Sequence, residues 1–311
     1  CIQPEVCRNL CTSDQRYAGD FGEHCLFLSL LALALRKLET PHTDGDCGRW
    51  GDGGQGVWFG DCAPALHCFG GEVSARMERD EEERSGVMDL QHNLQTIRSR
   101  VVQACARINR DPSSVELVAV TKTVSDQMVN QLIELGVDAF GENRAIPGHR
   151  RSELFPQVKW HLISPLQSNK IRYCRNFDLI HSLERLKIAR LLNQKAAEWD
   201  KQIDVLIQVN ISGEATKHGL KYDQVLDFAR VLIHECPNLN LRGLMGMAPY
   251  VEPEKTRGYF RALASLHKEL CTNVKSDAEI LSMGMSNDFE VAIEEGATMV
   301  RIGSALFIEE D

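Results

Sequence analysis

Several features are scarce in this sequence. Its 11 cysteines include no Cys-x-x-Cys pair, so the spacing that marks a zinc site is missing. Basic charge is in deficit, with 35 Lys and Arg against 44 Asp and Glu for a net charge of −9. That balance excludes a global nucleic-acid footprint. The apolar run CLFLSLLALAL (25–35) is too short to span a bilayer, and no basic stretch precedes it as a secretory leader requires. No Gly-x-Gly-x-x-Gly turn follows the first predicted strand, which argues against a dinucleotide-binding fold. No solenoid-type repeat is present.

What is present divides unevenly. Residues 1–87 hold 7 cysteines and 12 of the 23 glycines, with 8 basic and 15 acidic residues. Within them GDCGRWGDGGQGVWFGDC (45–62) has neither helical nor strand period. An odd number of cysteines also argues against a closed disulfide set. This part reads as a disordered or foreign extension, closed by the solvated charge run RMERDEEERSG (76–86). The functional unit is expected over 88–311, where Met88 begins a fluent amphipathic helix with Leu90, Leu94, Ile97 and Val101 on one face.

After DPSS (111–114), short apolar runs alternate with longer helix-period stretches. Eight runs can be counted: 115–120, 138–143, 160–164, 178–183, 204–211, 241–247, 279–285 and 299–307. Strand–helix alternation predicts parallel strands with helical crossovers. Eight repeats in about 200 residues fit an α/β fold of the single (β/α)8 barrel type, with a doubly wound open sheet as the alternative.

Barrel ligands bind at the C-terminal ends of the strands. The first run, VELVAV, ends in Thr121-Lys122, the second in Gly141-Glu142-Asn143, and the fifth in Asn210. His161 and His181 lie within the third and fourth, and read as packed or hydrogen-bonded strand residues. The seventh runs into SMGMSND (282–288) with Ser286, and the eighth carries Arg301, Gly303 and Ser304. The last two loops resemble an anion cradle, since helix N-termini offer unpaired N–H groups; simple helix capping explains the same residues. Lys122 is either the polar end of a strand or an amine placed to condense with a carbonyl. A phosphorylated aldehyde would satisfy both the amine and the cradle, and pyridoxal phosphate is the cofactor of that kind.

VAVTKT, FGEN, WHLIS-PLQSNK, LIQVNISGEATKHGL, RGLMGM and LSMGMSNDFEVAIEEGATMVRIGSALF follow one another in order from Met88 to Phe307. Together they strongly resemble the pyridoxal phosphate homeostasis protein family. The resemblance implies one (β/α)8 barrel similar to the barrel domain of alanine racemase. It implies pyridoxal phosphate held as a Schiff base on Lys122, with Asn143 and Asn210 near the cofactor and Arg301 facing the pyridine nitrogen. Ser286, Gly303 and Ser304 would hold the phosphate. It further implies a cytoplasmic protein of pyridoxal phosphate homeostasis, without turnover of its own, with apo-enzymes as recipients of the cofactor and no nucleic-acid or membrane partner.

The chain departs from the family pattern at Ser164, where glycine is usual. It departs again in RAIPGHRRSELF (144–155), where Pro147-Gly148 is expected to shorten or break the helix. It stops at FIEED, and a missing final helix is expected to leave the end strands less covered. An amino-acid racemase of this barrel type is the alternative function, but it needs a second acid or base within reach of the substrate proton. Tyr173, Tyr222 and Tyr250 fall in helix-like or loop stretches and read as structural. A cofactor-free Schiff-base aldolase acting on phosphosugars is a third reading. Cys105, Cys174, Cys236 and Cys271 are scattered on helices, as suits a reducing compartment, and no metal constellation appears.

Overall fold

A computed structural model describes residues 89–214 and 217–307. The 1–87 extension and the 25–35 run lie outside the described residues, as does the FIEED terminus beyond Phe307. A helix over 89–107 (α1) comes first. Leu90, Leu94, Ile97, Val101, Ala104 and Cys105 are its buried face, spaced by three and four residues as helical geometry requires. It ends near Asn109, whose φ of 54° leaves the helical region.

Eight strands follow: β1 (Glu116–Val120), β2 (Ala139–Glu142), β3 (Lys159–Leu162), β4 (Leu179–Leu183), β5 (Ile203–Val209), β6 (Leu239–Gly246), β7 (Ile280–Met285) and β8 (Met299–Ile302). Each pairs in parallel with the next, and β8 pairs with β1, which closes the barrel. The crossover helices are α2 (Asp126–Glu134), α3 (Ala145–Leu154), α4 (Leu186–Glu198), α5 (Tyr222–Glu235), α6 (Pro253–Asn273) and α7 (Phe289–Glu294). A 3-10 helix, Ser168–Tyr173, replaces the full helix between β3 and β4, and a last turn, α8 (Ser304–Phe307), follows β8.

Strand alternation sorts the core into two sets. Val118, Ala139, Leu179, Leu206, Met245 and Met299 form a small cluster inside the barrel. Their chain neighbours Ala119, Phe140, Ile180, Val205, Leu244 and Val300 face outward into the larger core shared with the helices. Trp160 and Phe140 stack there at 5.4 Å, and burying each large side chain stabilises the fold by roughly 1.5–3 kcal/mol.

Two expectations from the sequence change. The eighth strand ends at Ile302, and Ser304–Phe307 is helical rather than extended. The helix at 145–154 forms without a break. Pro147 stands in its first turn, where the backbone N–H has no intrahelical acceptor to lose. Gly148 has a packing role: a Cβ there would lie 2.5 Å from Phe177 Cζ and 3.1 Å from Glu142 Cβ. Its missing side chain lets α3 sit close against the barrel.

Candidate functional site

One step above the inner apolar cluster the barrel interior turns polar. His181 is two residues beyond Leu179, Gln208 two beyond Leu206, Ser282 two beyond Ile280, and Arg301 two beyond Met299. Together with His161 they are buried. The Arg301 guanidinium donates to Ser282 Oγ at 2.6 Å and to the Gly246 carbonyl at 3.0 Å. His181 Nδ1 lies 3.1 Å from the same Ser282 hydroxyl, and His181 Nε2 lies 3.2 Å from His161 Nδ1. A continuous hydrogen-bonded chain therefore runs from β3 through β4 and β7 to β8.

Burial sets the charge states along this chain. Desolvation lowers His161 to about 4, and burial takes His181 well below its ordinary value, with help from His161 and Arg301. Both rings are neutral at pH 7. Burial lowers Arg301 to about 10, opposed by the charge of Asp288, so the guanidinium remains a cation and a donor only. Among the described residues Gln208 Oε1 has no hydrogen-bond partner, and a buried acceptor left unmade is costly.

The next step up is the mouth. Continuing the alternation along β1 puts Lys122 on the inward face, in the turn that precedes α2. It is exposed, and among the described residues nothing is bonded to its ammonium. The β1–β8 register pairs Val118 with Arg301 and Ala119 with Ile302, which brings the Lys122 turn beside α8. Asn143 follows β2 and shares with Lys122 a cavity of about 230 Å³. The Ser164 hydroxyl donates to the Asn143 carbonyl, a bond that glycine at this position could not make.

Ser286, Gly303 and Ser304 do come together. The backbone N–H groups of Gly303 and Ala305 donate to Ser286 Oγ at 3.2 and 3.3 Å. Two residues before Ser286, Gly284 lets β7 pack closely against α7. Its φ is +90°, and a Cβ there would lie 2.6 Å from Ala292 Cβ. Asn210 is held differently. Its amide donates to the Glu214 and Lys217 carbonyls at 2.8 and 3.3 Å, and its oxygen accepts from Ser212 and Gly213. Its polar atoms are spent on the loop after β5, and no hydrogen bond joins it to the other mouth residues.

Sequence reasoning does not single out Ser282 and Gln208 as site residues, while His161 and His181, read as packed or hydrogen-bonded strand residues, are hydrogen-bonded. The period-two pattern of the strands was the available signal, because all of them share the inward face with Lys122 and Arg301. As a donor set the mouth suits a phosphorylated aldehyde. It combines a primary amine, a hydroxyl flanked by two backbone N–H groups, and a buried cation that can only donate.

The family model described as alanine racemase, N-terminal domain, matches residues 88–311. A pyridoxal phosphate homeostasis protein of Aquifex aeolicus is 38% identical over 226 residues, covering 71% of this chain and 99% of the relative. One from Escherichia coli K12 is 38% identical over 227 residues, covering 70% and 96%. The chain belongs to the pyridoxal phosphate homeostasis protein family. The solved structure of PipY from Synechococcus elongatus, with PLP bound, superposes with a TM-score of 0.59 at 28% identity, covering 70% of this chain and 99% of PipY. Membership accounts for the closed eight-strand barrel and for the order of its motifs. Among the described residues no helix is long and apolar enough to cross a membrane.

Proposed function

We propose that this chain binds pyridoxal phosphate at the barrel mouth, covalently through the Lys122 amine, and serves intracellular pyridoxal phosphate homeostasis as a carrier without turnover. The observation that carries this reading is the convergence of Lys122, the Ser286–Gly303–Ala305 cradle and the buried Arg301 on one face of a closed barrel. Residues 88–311 are the proposed functional unit. The PLP-bound structure of a relative supports the choice of ligand.

Bound pyridoxal phosphate supplies an aldehyde that condenses with amines and a ring that withdraws electrons once its nitrogen is protonated. The chain's own residues favour holding over transformation. Lys122 offers the amine. Ser286 and the N–H groups at the start of α8 hold the phosphate, with Ser304 beside them. Asn143 borders the Lys122 cavity, and Asn210 stiffens the loop after β5. Arg301 would face the ring nitrogen and, still a cation at neutral pH, would keep its protons rather than pass one to the ring, so electron withdrawal would stay weak. Apo-enzymes are the proposed recipients. A cytoplasmic setting suits the free thiols Cys105, Cys174, Cys236 and Cys271.

A racemase needs a second acid or base beside the reacting carbon. Tyr173 packs against His149 and Arg172, and among the described residues the buried Tyr222 hydroxyl has no partner. The deciding experiment is the absorption spectrum of the purified protein with pyridoxal phosphate, before and after borohydride. A chromophore bleached by borohydride and lost in Lys122→Ala is expected; colour retained in Lys122→Ala would refute the assignment. Steady interconversion of L- and D-amino acids by the loaded protein would replace the carrier reading with the racemase.

A further inference from the structure

Lys122 presents a problem of position. Its side chain is exposed, and among the described residues no bond holds its amine. A lysine stem is flexible, so the place of the amine depends on the turn that bears it. Within that turn the backbone contributes one long hydrogen bond, from Val124 N to the Thr121 carbonyl at 3.3 Å. Thr121 is tied to β2 by its backbone N–H and its hydroxyl, and the rest of the turn is held from outside, by Arg151 on α3.

Arg151 Nη1 donates to the Thr121 carbonyl at 2.6 Å and to Glu142 Oε1 at 2.5 Å. Its Nη2 donates to the Val124 carbonyl, and its Nε to Asp126 Oδ1 at 2.9 Å. The Thr121 hydroxyl donates to the same Glu142 oxygen at 2.8 Å, with Thr121 and Glu142 both buried. One planar fork therefore grips the carbonyls on both sides of the Lys122–Thr123 pair. It ties them to the end of β2 and to the start of α2. We propose that Arg151 is the positioning residue for the Lys122 amine, fixing the turn from which that amine reaches into the barrel mouth.

The local sequence explains how the fork gets there. Arg151 comes from RAIPGHRRSELF, the segment in which the chain departs from the family pattern. Gly148 brings α3 against Phe177 and Glu142, and Arg151 follows three residues later, on the same side of the helix. Asp126 and Glu142 offset its charge, and Arg150 shares Asp126 at 3.1 Å. With its charge so matched, Arg151 acts as a brace and offers no site for a free anion. Only arginine supplies a rigid fork with donors for four acceptors at once.

The proposal rests on the reading that Lys122 takes the aldehyde, and the test separates the two. Arg151→Met keeps the stem and removes the fork. Without ligand, exchange of the Val124 amide, which donates to the Thr121 carbonyl, should quicken by about tenfold or more while the β5 amides are unchanged. With pyridoxal phosphate, the rate of forming a borohydride-reducible link to Lys122 should fall roughly 10- to 100-fold, the range for a displacement of up to about 1 Å. Affinity for pyridoxine 5'-phosphate, which has the ring and phosphate but no aldehyde, should stay within about twofold, because the cradle lies on other strands. Arg151→Lys keeps the charge but cannot bridge both carbonyls, and the same changes are expected. It carries the test if Arg151→Met does not fold. Unchanged exchange of the Val124 amide, or a wild-type rate of linkage, would overturn the proposal. So would an equal loss of pyridoxine 5'-phosphate binding, which marks a general structural role. If the wild-type protein forms no link at Lys122, the functional reading fails, and the ligand-free exchange still decides the role of Arg151.

Discussion

Arg301→Met should leave the ligand-free protein about as stable as the wild type while weakening its hold on pyridoxal phosphate. Arg301 is buried inside the barrel, and its hydrogen bonds go to a hydroxyl and a carbonyl rather than to a carboxylate. Burial lowers its pKa from the ordinary arginine range to about 10, which places roughly 3 kcal/mol of penalty on the charged form. Removing the charge recovers that penalty. Against it stands the Gly246 carbonyl, left without a donor at a cost of about 1–3 kcal/mol, and Ser282, which can still turn its hydroxyl toward His181. Methionine fills much of the space. The two effects nearly cancel, so urea unfolding of the ligand-free variant should give a stability within about 2 kcal/mol of wild type, on either side. The second measurement is the rise in Tm on adding saturating pyridoxal phosphate. A ligand at 100 times its Kd stabilises by about 2.7 kcal/mol, and most of that rise should vanish in the variant. A loss of more than about 3 kcal/mol without ligand would refute the reasoning, because Arg301 would then be a keystone of the barrel. A full ligand-induced rise would refute its place at the ring.

Three further outcomes are expected. Stability should fall as pH drops from about 6.5 toward about 4, because an unfolded His161 takes up a proton there and the folded one, lowered to about 4, does not. That one group accounts for roughly 3 kcal/mol, so urea midpoints at pH 7 and 4.5 should differ, and His161→Phe should flatten the dependence. Gly284→Ala puts a Cβ 2.6 Å from Ala292 at a φ of +90° and should cost roughly 2–4 kcal/mol in chemical unfolding. Ser286→Ala removes the hydroxyl that meets the N–H groups of Gly303 and Ala305. It should weaken pyridoxal phosphate binding by about tenfold, a change of about 1.4 kcal/mol, while unphosphorylated pyridoxal is affected much less in the same titration.

The sequence by itself determined the strand count, the barrel class and the residues that stand at the strand ends. Alternation is a local property, so Val118, Lys122, Leu206, Asn210, Met299 and Arg301 can be sorted to one face before any tertiary contact is known. Motif order carried the family as well. The Pro147-Gly148 expectation went astray because the cost of proline depends on its turn within the helix, and the use of Gly148 depends on Phe177, a residue distant in sequence. Only the tertiary structure decided what holds the site. The chain from His161 to Arg301 joins four strands, and its charge states follow from burial, which no local pattern encodes. Arg151 in the sequence is one of several surface-looking arginines. It becomes a brace for Lys122 only when α3 docks, because the carbonyls it grips come from the turn after β1 and the carboxylates that balance it from β2 and α2.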